Sequence, residues 1–151
     1  DRAGSAIATA TDDDFDWDKI FDGAKWFHFT GITPALSDTL AGIVLKAVRI
    51  AKEKGITVSC DLNFRKKLWS KEKAKEVMSE ICKYVDVCIA NEEDAKDVFG
   101  IEAENSDAES GKLDFEGYKS VAKAENSTNK VTFRLRDNLS ISSALRRLQS
   151  R

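Results

Sequence analysis

The sequence predicts an α/β fold with a mostly parallel sheet and flanking helices. Runs of β-branched and aromatic residues at 25–30, 56–62 and 85–90 are separated by longer segments whose apolar residues recur at helical spacing. Strands that alternate with helices in this way are typical of βαβ units, in which a crossover helix returns the chain to a parallel strand. An apolar fraction of 42% and a charged fraction of 33% fit a globular domain of this kind.

Helix ends are marked by residues that cap helices. A residue with a side-chain oxygen stands where each helical pattern begins and can accept a hydrogen bond from the first turn. The predicted caps are, in chain order, Asp14 or Asp16, Ser37 or Asp38, Ser70 and Asn91. Glycine follows three of these patterns and predicts helix ends at Gly23, Gly55 and Gly100.

Other segments give weaker signals. The small, partly β-prone residues 5–11 predict an edge or connecting strand, and alternating apolar residues over 130–136 predict a last strand. Between them, a polar surface loop over 102–112 is expected to precede one more helix. Residues 137–151 carry only a weak helical pattern.

Charge and cysteine content argue against several kinds of partner and structural site. The net charge of −2 gives no reason to expect nucleic acid or a membrane surface as partner, and no apolar run approaches the ~18 residues of a membrane span. The three cysteines, Cys60, Cys82 and Cys88, are odd in number and lack C-x-x-C spacing, so the spacing suggests neither a disulfide framework nor a zinc site. Reduced thiols in a cytoplasmic protein are the simplest interpretation.

Polar residues lie at the ends of four predicted strands. Thr30 ends the first strand; Asp61, Asn63 and Arg65 lie at alternate positions at the end of the second; Asn91 follows the third, and Arg136 ends the last. Carboxyl ends of parallel strands share one edge of a sheet, and ligands bind at that edge in open α/β folds. The sequence therefore predicts a polar site there.

Asp61, Asn63 and Arg65 offer the most varied chemistry of this set. A guanidinium suits a carboxylate or phosphate, and an amide both donates and accepts hydrogen bonds. Alternation places all three side chains on one side if the segment is extended. The spacing leaves open a purely structural turn, in which Asp61 pairs with Arg65 and Asn63 forms an Asx-turn.

The segment from Asn91 to Asp94 joins a strand to a helix. Considered alone it favours helix capping, with acidic residues in the first turn where the helix dipole stabilises them. The functional alternative is a set of oxygen ligands for a hydrated Mg²⁺ beside a phosphate. His28, the only histidine, is interpreted as a packed strand residue, and the sequence has no Gly-rich phosphate loop of the G-x-x-x-x-G-K-[ST] or G-x-G-x-x-G kind.

Four motifs together resemble ribokinase-like sugar kinases of the PfkB family, in particular those that act on a keto-sugar acid. The motifs are Asp1-Arg2-x-x-Ser5-Ala6, Phe27-His28-Phe29-Thr30-Gly31-Ile32, Asp61-x-Asn63-x-Arg65-x-x-Leu68-Trp69 and Asn91-x-x-Asp94-Ala95. Their order and spacing resemble the family over residues 1–136. By this resemblance residues 1–136 form a partial kinase domain and residues 137–151 a divergent tail.

The resemblance implies transfer of the ATP γ-phosphoryl group to a hydroxyl of a 2-keto-3-deoxygluconate-type sugar acid, with Mg²⁺. By the match, Arg2 would bind the sugar carboxylate, and Asn63 and Arg65 would lie between this substrate and the ATP phosphates. Asn91 and Asp94 match the family's N-x-x-E motif, which organises phosphate and Mg²⁺. Asp94 would act on the metal through water, because its side chain is one methylene shorter than the usual glutamate.

The sequence also departs from the family pattern. The Gly-Gly substrate motif and the downstream G-A-G-D motif are absent. The second of these supplies the family's anion hole and the aspartate that takes the hydroxyl proton, so no catalytic residue is assigned. Because phosphoryl transfer depends on positioning and charge stabilisation, the isolated chain is expected to be inactive.

Two alternatives stay open. One is a non-catalytic α/β module that binds a sugar acid or a nucleotide, or only packs against a partner. A truncated sheet would leave an exposed edge, which favours association between copies. The other is a PfkB kinase for fructose or ribose, which the carboxylate-seeking Arg2 disfavours.

Overall fold

Four parallel strands form the sheet in the computed structural model, which describes residues 5–100 and 132–135. The strands are Trp26–Thr30 (β1), Thr57–Asp61 (β2), Val87–Ala90 (β3) and Thr132–Leu135 (β4). They lie in the order β1-β2-β3-β4, and each pairs in parallel with the next. The predicted α/β class with a parallel sheet is confirmed.

Four of the five α-helices in the described residues begin where the sequence predicts them. The five are Trp17–Ile20 (α1), Ile32–Ala35 (α2), Asp38–Glu53 (α3), Lys71–Cys82 (α4) and Glu92–Phe99 (α5). The short helix α2 is not predicted by the sequence. The side chains of Asp16, Ser37, Ser70 and Asn91 each accept a backbone hydrogen bond from the first turn of α1, α3, α4 and α5. Gly100 ends α5 with a φ of 70°, a conformation that glycine adopts without steric cost.

Residues 5–11 contain no strand, so this prediction is wrong. A 3₁₀ helix covers Ala6–Thr9, and a second one covers Asp12–Asp14. The Asp14 carboxylate accepts hydrogen bonds from both the backbone N–H and the hydroxyl of Thr11. These local bonds outweigh the weak strand preference of small residues. The predicted loop over 102–112, the helix predicted after it, the tail, Arg2 and Arg136 lie outside the described residues.

The core lies between the sheet and the helices α3 and α4. The buried apolar side chains from the middle of these elements are Val58, Cys60, Cys88 and Ala90 from the sheet, Val44, Ala47, Val48 and Ala51 from α3, and Ala74, Met78, Ile81 and Cys82 from α4. They are the residues that the helical and alternating patterns of the sequence mark as apolar faces. Their packing holds the carboxyl ends of the strands in place. No helix in the described part of the chain has the length and apolarity needed to cross a membrane.

Candidate active site at the carboxyl edge of the sheet

The carboxyl ends of β1, β2 and β3 meet at one edge, as predicted. In the strand register Thr30 lies beside Asp61, and Asp61 lies beside Ile89. The backbone N–H of Gly31 donates to the Asp61 carbonyl at 2.7 Å, and the N–H of Leu62 donates to the Ile89 carbonyl at 2.8 Å. These bonds continue the ladder to the strand ends and fix the start of the loop that follows β2.

That loop is anchored by apolar side chains and presents polar ones. Leu62 and Phe64 are 1% and 7% exposed and belong to the core. Asn63 is half-buried and Arg65 is exposed. The extended backbone expected from the alternation is wrong beyond Asp61, because β2 ends there and Asn63 adopts a φ of 41°. Asparagine tolerates this left-handed conformation better than most residues, and the alternation of burial survives the turn.

Asn63 links the ends of two strands. Its Nδ2 donates to the hydroxyl oxygen of Thr30 at 3.4 Å. The same oxygen accepts the backbone N–H of Ile32, also at 3.4 Å. Hydrogen bonds of this length are weak. A ligand oxygen at ordinary distance would therefore compete well for the Asn63 amide.

Asn91 serves as a helix cap. Its side-chain oxygen accepts the backbone N–H of Asp94 at 2.6 Å, and this bond begins α5. The capping interpretation of the sequence is confirmed. The role of Asn91 toward ATP or phosphate stays a prediction, and its Nδ2 would have to carry it because the oxygen is occupied by the cap.

Asp94 joins the two motifs electrostatically. Burial raises the pKa of its carboxyl, and the negative charge of Asp61 raises it further. The backbone amide of Phe64 and the guanidinium of Arg65 act in the opposite direction. Charged groups at the end of β2 and in the loop after it therefore act on a carboxyl in the first turn of α5. A carboxylate held where burial disfavours its charge is typical of functional sites.

Lysine–carboxylate pairs, which the sequence reasoning missed, connect the loop and the start of α4 to α5. Lys66 Nζ lies 2.9 Å from Glu93 Oε1 and 3.5 Å from Asp97 Oδ2. Lys71 Nζ lies 2.5 Å from Asp97 Oδ1, and the Asp97 side chain is only 6% exposed. The charges are visible in the sequence, but no spacing rule pairs a loop with a helix that begins more than twenty residues later.

We expect Asp94→Asn to raise stability and Asp97→Asn to lower it at neutral pH. Burial raises the pKa of Asp94, so its contribution to stability is greatest in acid and falls as pH rises from 3.8 through the raised folded value. The hydrogen bond from Lys71 lowers the pKa of Asp97, so its contribution is present above 3.8 and is lost as pH falls through the lowered folded value.

Urea midpoints of the two variants and the wild type, measured at neutral pH and in strong acid, check this expectation. The shifts should have opposite signs at neutral pH and shrink in acid. Equal destabilisation by both variants would show that burial of the Asp94 carboxylate carries no energetic penalty.

Comparison with known proteins agrees with the motifs at this edge. Residues 3–132 match the sequence profile described as pfkB family carbohydrate kinase. A 2-dehydro-3-deoxygalactonokinase of Haloferax volcanii is 38% identical over 119 residues, which are 77% of this chain and 37% of that protein.

Solved structures agree as well. The 2-dehydro-3-deoxygluconokinase of Thermotoga maritima superposes with a TM-score of 0.73 at 48% identity, over 93% of this chain and 41% of that one. A PfkB family carbohydrate kinase of Listeria grayi superposes with a TM-score of 0.72 at 30% identity, over 91% and 39%. The chain thus spans less than half the length of these relatives. The family profile covers most of its sequence, and the chain belongs to the pfkB family of carbohydrate kinases.

Proposed function

We propose that this chain contributes part of an ATP-dependent kinase site for a sugar acid of the 2-keto-3-deoxygluconate type. The observation that carries the proposal is that the ends of β1, β2 and β3 meet at one edge, where Asn63 donates to Thr30 and Asn91 caps α5. The relatives from Haloferax volcanii and Thermotoga maritima are kinases of keto-deoxy sugar acids, which supports this substrate class.

Each polar side chain at the edge suits a part of phosphoryl transfer. The exposed guanidinium of Arg65 would bind substrate and steady charge on the transferred group. The amides of Asn63 and Asn91 would donate to ATP phosphate oxygens. Arg2, outside the described residues, would bind the carboxylate of the sugar acid.

The donors around Asp94 fit a hydrated Mg²⁺. Asp61 and Asp94 place two carboxylates close enough for the charge of one to raise the pKa of the other, and a divalent cation would relieve that repulsion. Asp94 would hold the metal through water. When bound, Mg²⁺ neutralises charge on the ATP phosphates.

Cellular location belongs to the same proposal. The described part of the chain holds three cysteines, and all three are free thiols. We place the protein in the cytoplasm, because thiols stay reduced in that compartment.

The purified 151-residue chain, mixed with ATP, Mg²⁺ and 2-keto-3-deoxygluconate, is expected to release ADP no faster than its Arg65→Ala variant. The reason is that the sequence lacks the G-A-G-D motif, and with it the group that would take the hydroxyl proton. Coupled-enzyme detection of ADP measures the rate. Steady turnover that Arg65→Ala abolishes would contradict the expected inactivity.

Thermal unfolding of the same samples separates the proposal from its alternative. A ligand-induced rise in the unfolding temperature that Arg65→Ala removes, and that Arg49→Ala keeps, supports a sugar-acid or ATP site at this edge. Arg49 is a suitable control because it lies on the surface of α3 and contacts Tyr84, which is not part of the site. No shift with either ligand favours a module that only packs against a partner.

A further inference from the structure

Three thiols meet in the core beside the strands that lead to the site. Cys60 on β2 and Cys88 on β3 are register partners, and their sulfurs lie 3.5 Å apart. Cys82, the last residue of α4, adds a third sulfur. The three sulfurs all lie within 4.8 Å of one another, and all three residues are free thiols. No part of the proposed kinase site uses this cluster.

The spacing of the sulfurs matches a three-coordinate metal site. A metal bound to each sulfur at ~2.3 Å in a planar arrangement places the sulfurs about 4.0 Å apart. The Cys60–Cys88 separation is 3.5 Å and the two separations to Cys82 are at most 4.8 Å, so all three are compatible with that value. Changes of a few tenths of an ångström, within the reach of small χ1 adjustments, would bring the sulfurs to bonding positions.

The donor set selects the kind of cation. Within the described residues, no histidine or carboxylate joins the three sulfurs in this cluster. Soft thiolate ligands suit Cu(I), Zn²⁺ and iron–sulfur clusters. Structural Zn²⁺ and iron–sulfur clusters take four protein ligands, so three sulfurs alone favour Cu(I). We propose that Cys60, Cys82 and Cys88 bind one soft, thiophilic cation of the Cu(I) class. The S–H protons displaced on binding pass to solvent.

Cys82 is the natural point of entry for the cation. It is 9% exposed, while Cys60 and Cys88 are fully buried. Cys82 also ends α4, where the negative end of the helix dipole favours a cation.

Anaerobic titration of the full 151-residue chain with Cu(I), against a competing chelator of known affinity, tests the proposal. One equivalent is expected to bind with sulfur-to-copper charge-transfer absorption and to raise the unfolding temperature. Cys82→Ala should weaken binding at least about tenfold, as one of three ligands is lost. Val85→Ala is the matched control, since it also trims a buried side chain close to α4 but leaves every sulfur in place.

Three results would overturn the proposal. They are the absence of one-to-one binding, affinity that Cys82→Ala leaves unchanged, and copper that lowers the unfolding temperature because it captures thiols of the unfolded chain. Near-ultraviolet circular dichroism identifies any variant that fails to fold. If a variant fails to fold, the number of copper ions bound by the wild-type chain and the direction of its thermal shift still test the proposal. Without a bound cation, the three cysteines are simply small buried apolar residues.

Discussion

Gly31→Ala is expected to destabilise the chain by about 1–3 kcal/mol or more and to displace the loop that carries Asn63 and Arg65. A Cβ atom at position 31 would lie 2.1 Å from the carbonyl oxygen of Leu62 and 3.0 Å from its carbonyl carbon. Both atoms belong to the backbone, and the N–H of Leu62 is held by the Ile89 carbonyl at 2.8 Å. The clash therefore cannot be relieved by a side-chain rotation, and the strand ends must separate.

Gly42→Ala provides the matched control for that substitution. Gly42 lies inside α3, and a Cβ there would meet no atom within 4 Å beyond the neighbouring backbone of its own helix. Alanine favours a helix interior over glycine, so this variant should gain about 0.5–1 kcal/mol. Urea unfolding of both variants gives the two free energies. Wild-type stability in Gly31→Ala would mean that β1 does not approach the loop as closely as described.

Leu62→Ala is expected to cost about 2–5 kcal/mol of unfolding free energy. Leu62 is 1% exposed and lies between the polar residues Asp61 and Asn63, so its side chain is the anchor of the site loop. Truncation removes buried methyl groups and leaves a cavity that the sheet cannot close, since Asp61 and Leu62 are held by backbone hydrogen bonds to Gly31 and Ile89.

Ile20→Ala tests whether that loss comes from burial and not from the chemistry of the substitution. Ile20 is 49% exposed at the end of α1, so the same kind of truncation should cost about 1 kcal/mol or less. Chemical denaturation followed by tryptophan fluorescence measures both variants. Similar losses in the two would show that Leu62 does not anchor the loop.

In these predictions, apolar contacts stabilise the fold of the site loop, whereas a buried negative charge destabilises it. Leu62 and Phe64 hold the loop in the core, while the raised pKa of Asp94 marks a carboxylate whose charge burial disfavours. Lys66 and Lys71 compensate by pairing with acidic residues of α5. A carboxylate at a position where burial disfavours its charge is typical of functional sites, which is why Asp94 is included in the proposed kinase site.

Local patterns in the sequence were sufficient for most of the architecture. Helix caps such as Ser37, Ser70 and Asn91 act through bonds to residues three positions away, so spacing reveals them. The carboxyl ends of parallel strands lie at one edge of a sheet whichever side chains the strands carry. The location of the candidate site was therefore predictable from the order of strands and helices.

Tertiary structure decided what depends on neighbours distant along the chain. The left-handed turn at Asn63 arises where Leu62 and Phe64 must both reach the core, and no pattern of alternating residues contains that demand. The ion pairs of Asp97 depend on α5 lying beside the loop after β2. The three thiols gave no signal as spacing in the sequence, because strand register and the end of α4 bring them together. The sequence by itself thus determined the fold class, the caps and the edge that carries the candidate site, since these follow from local hydrogen bonding and periodicity. Only the packing of helix on sheet decided which charges and sulfurs meet.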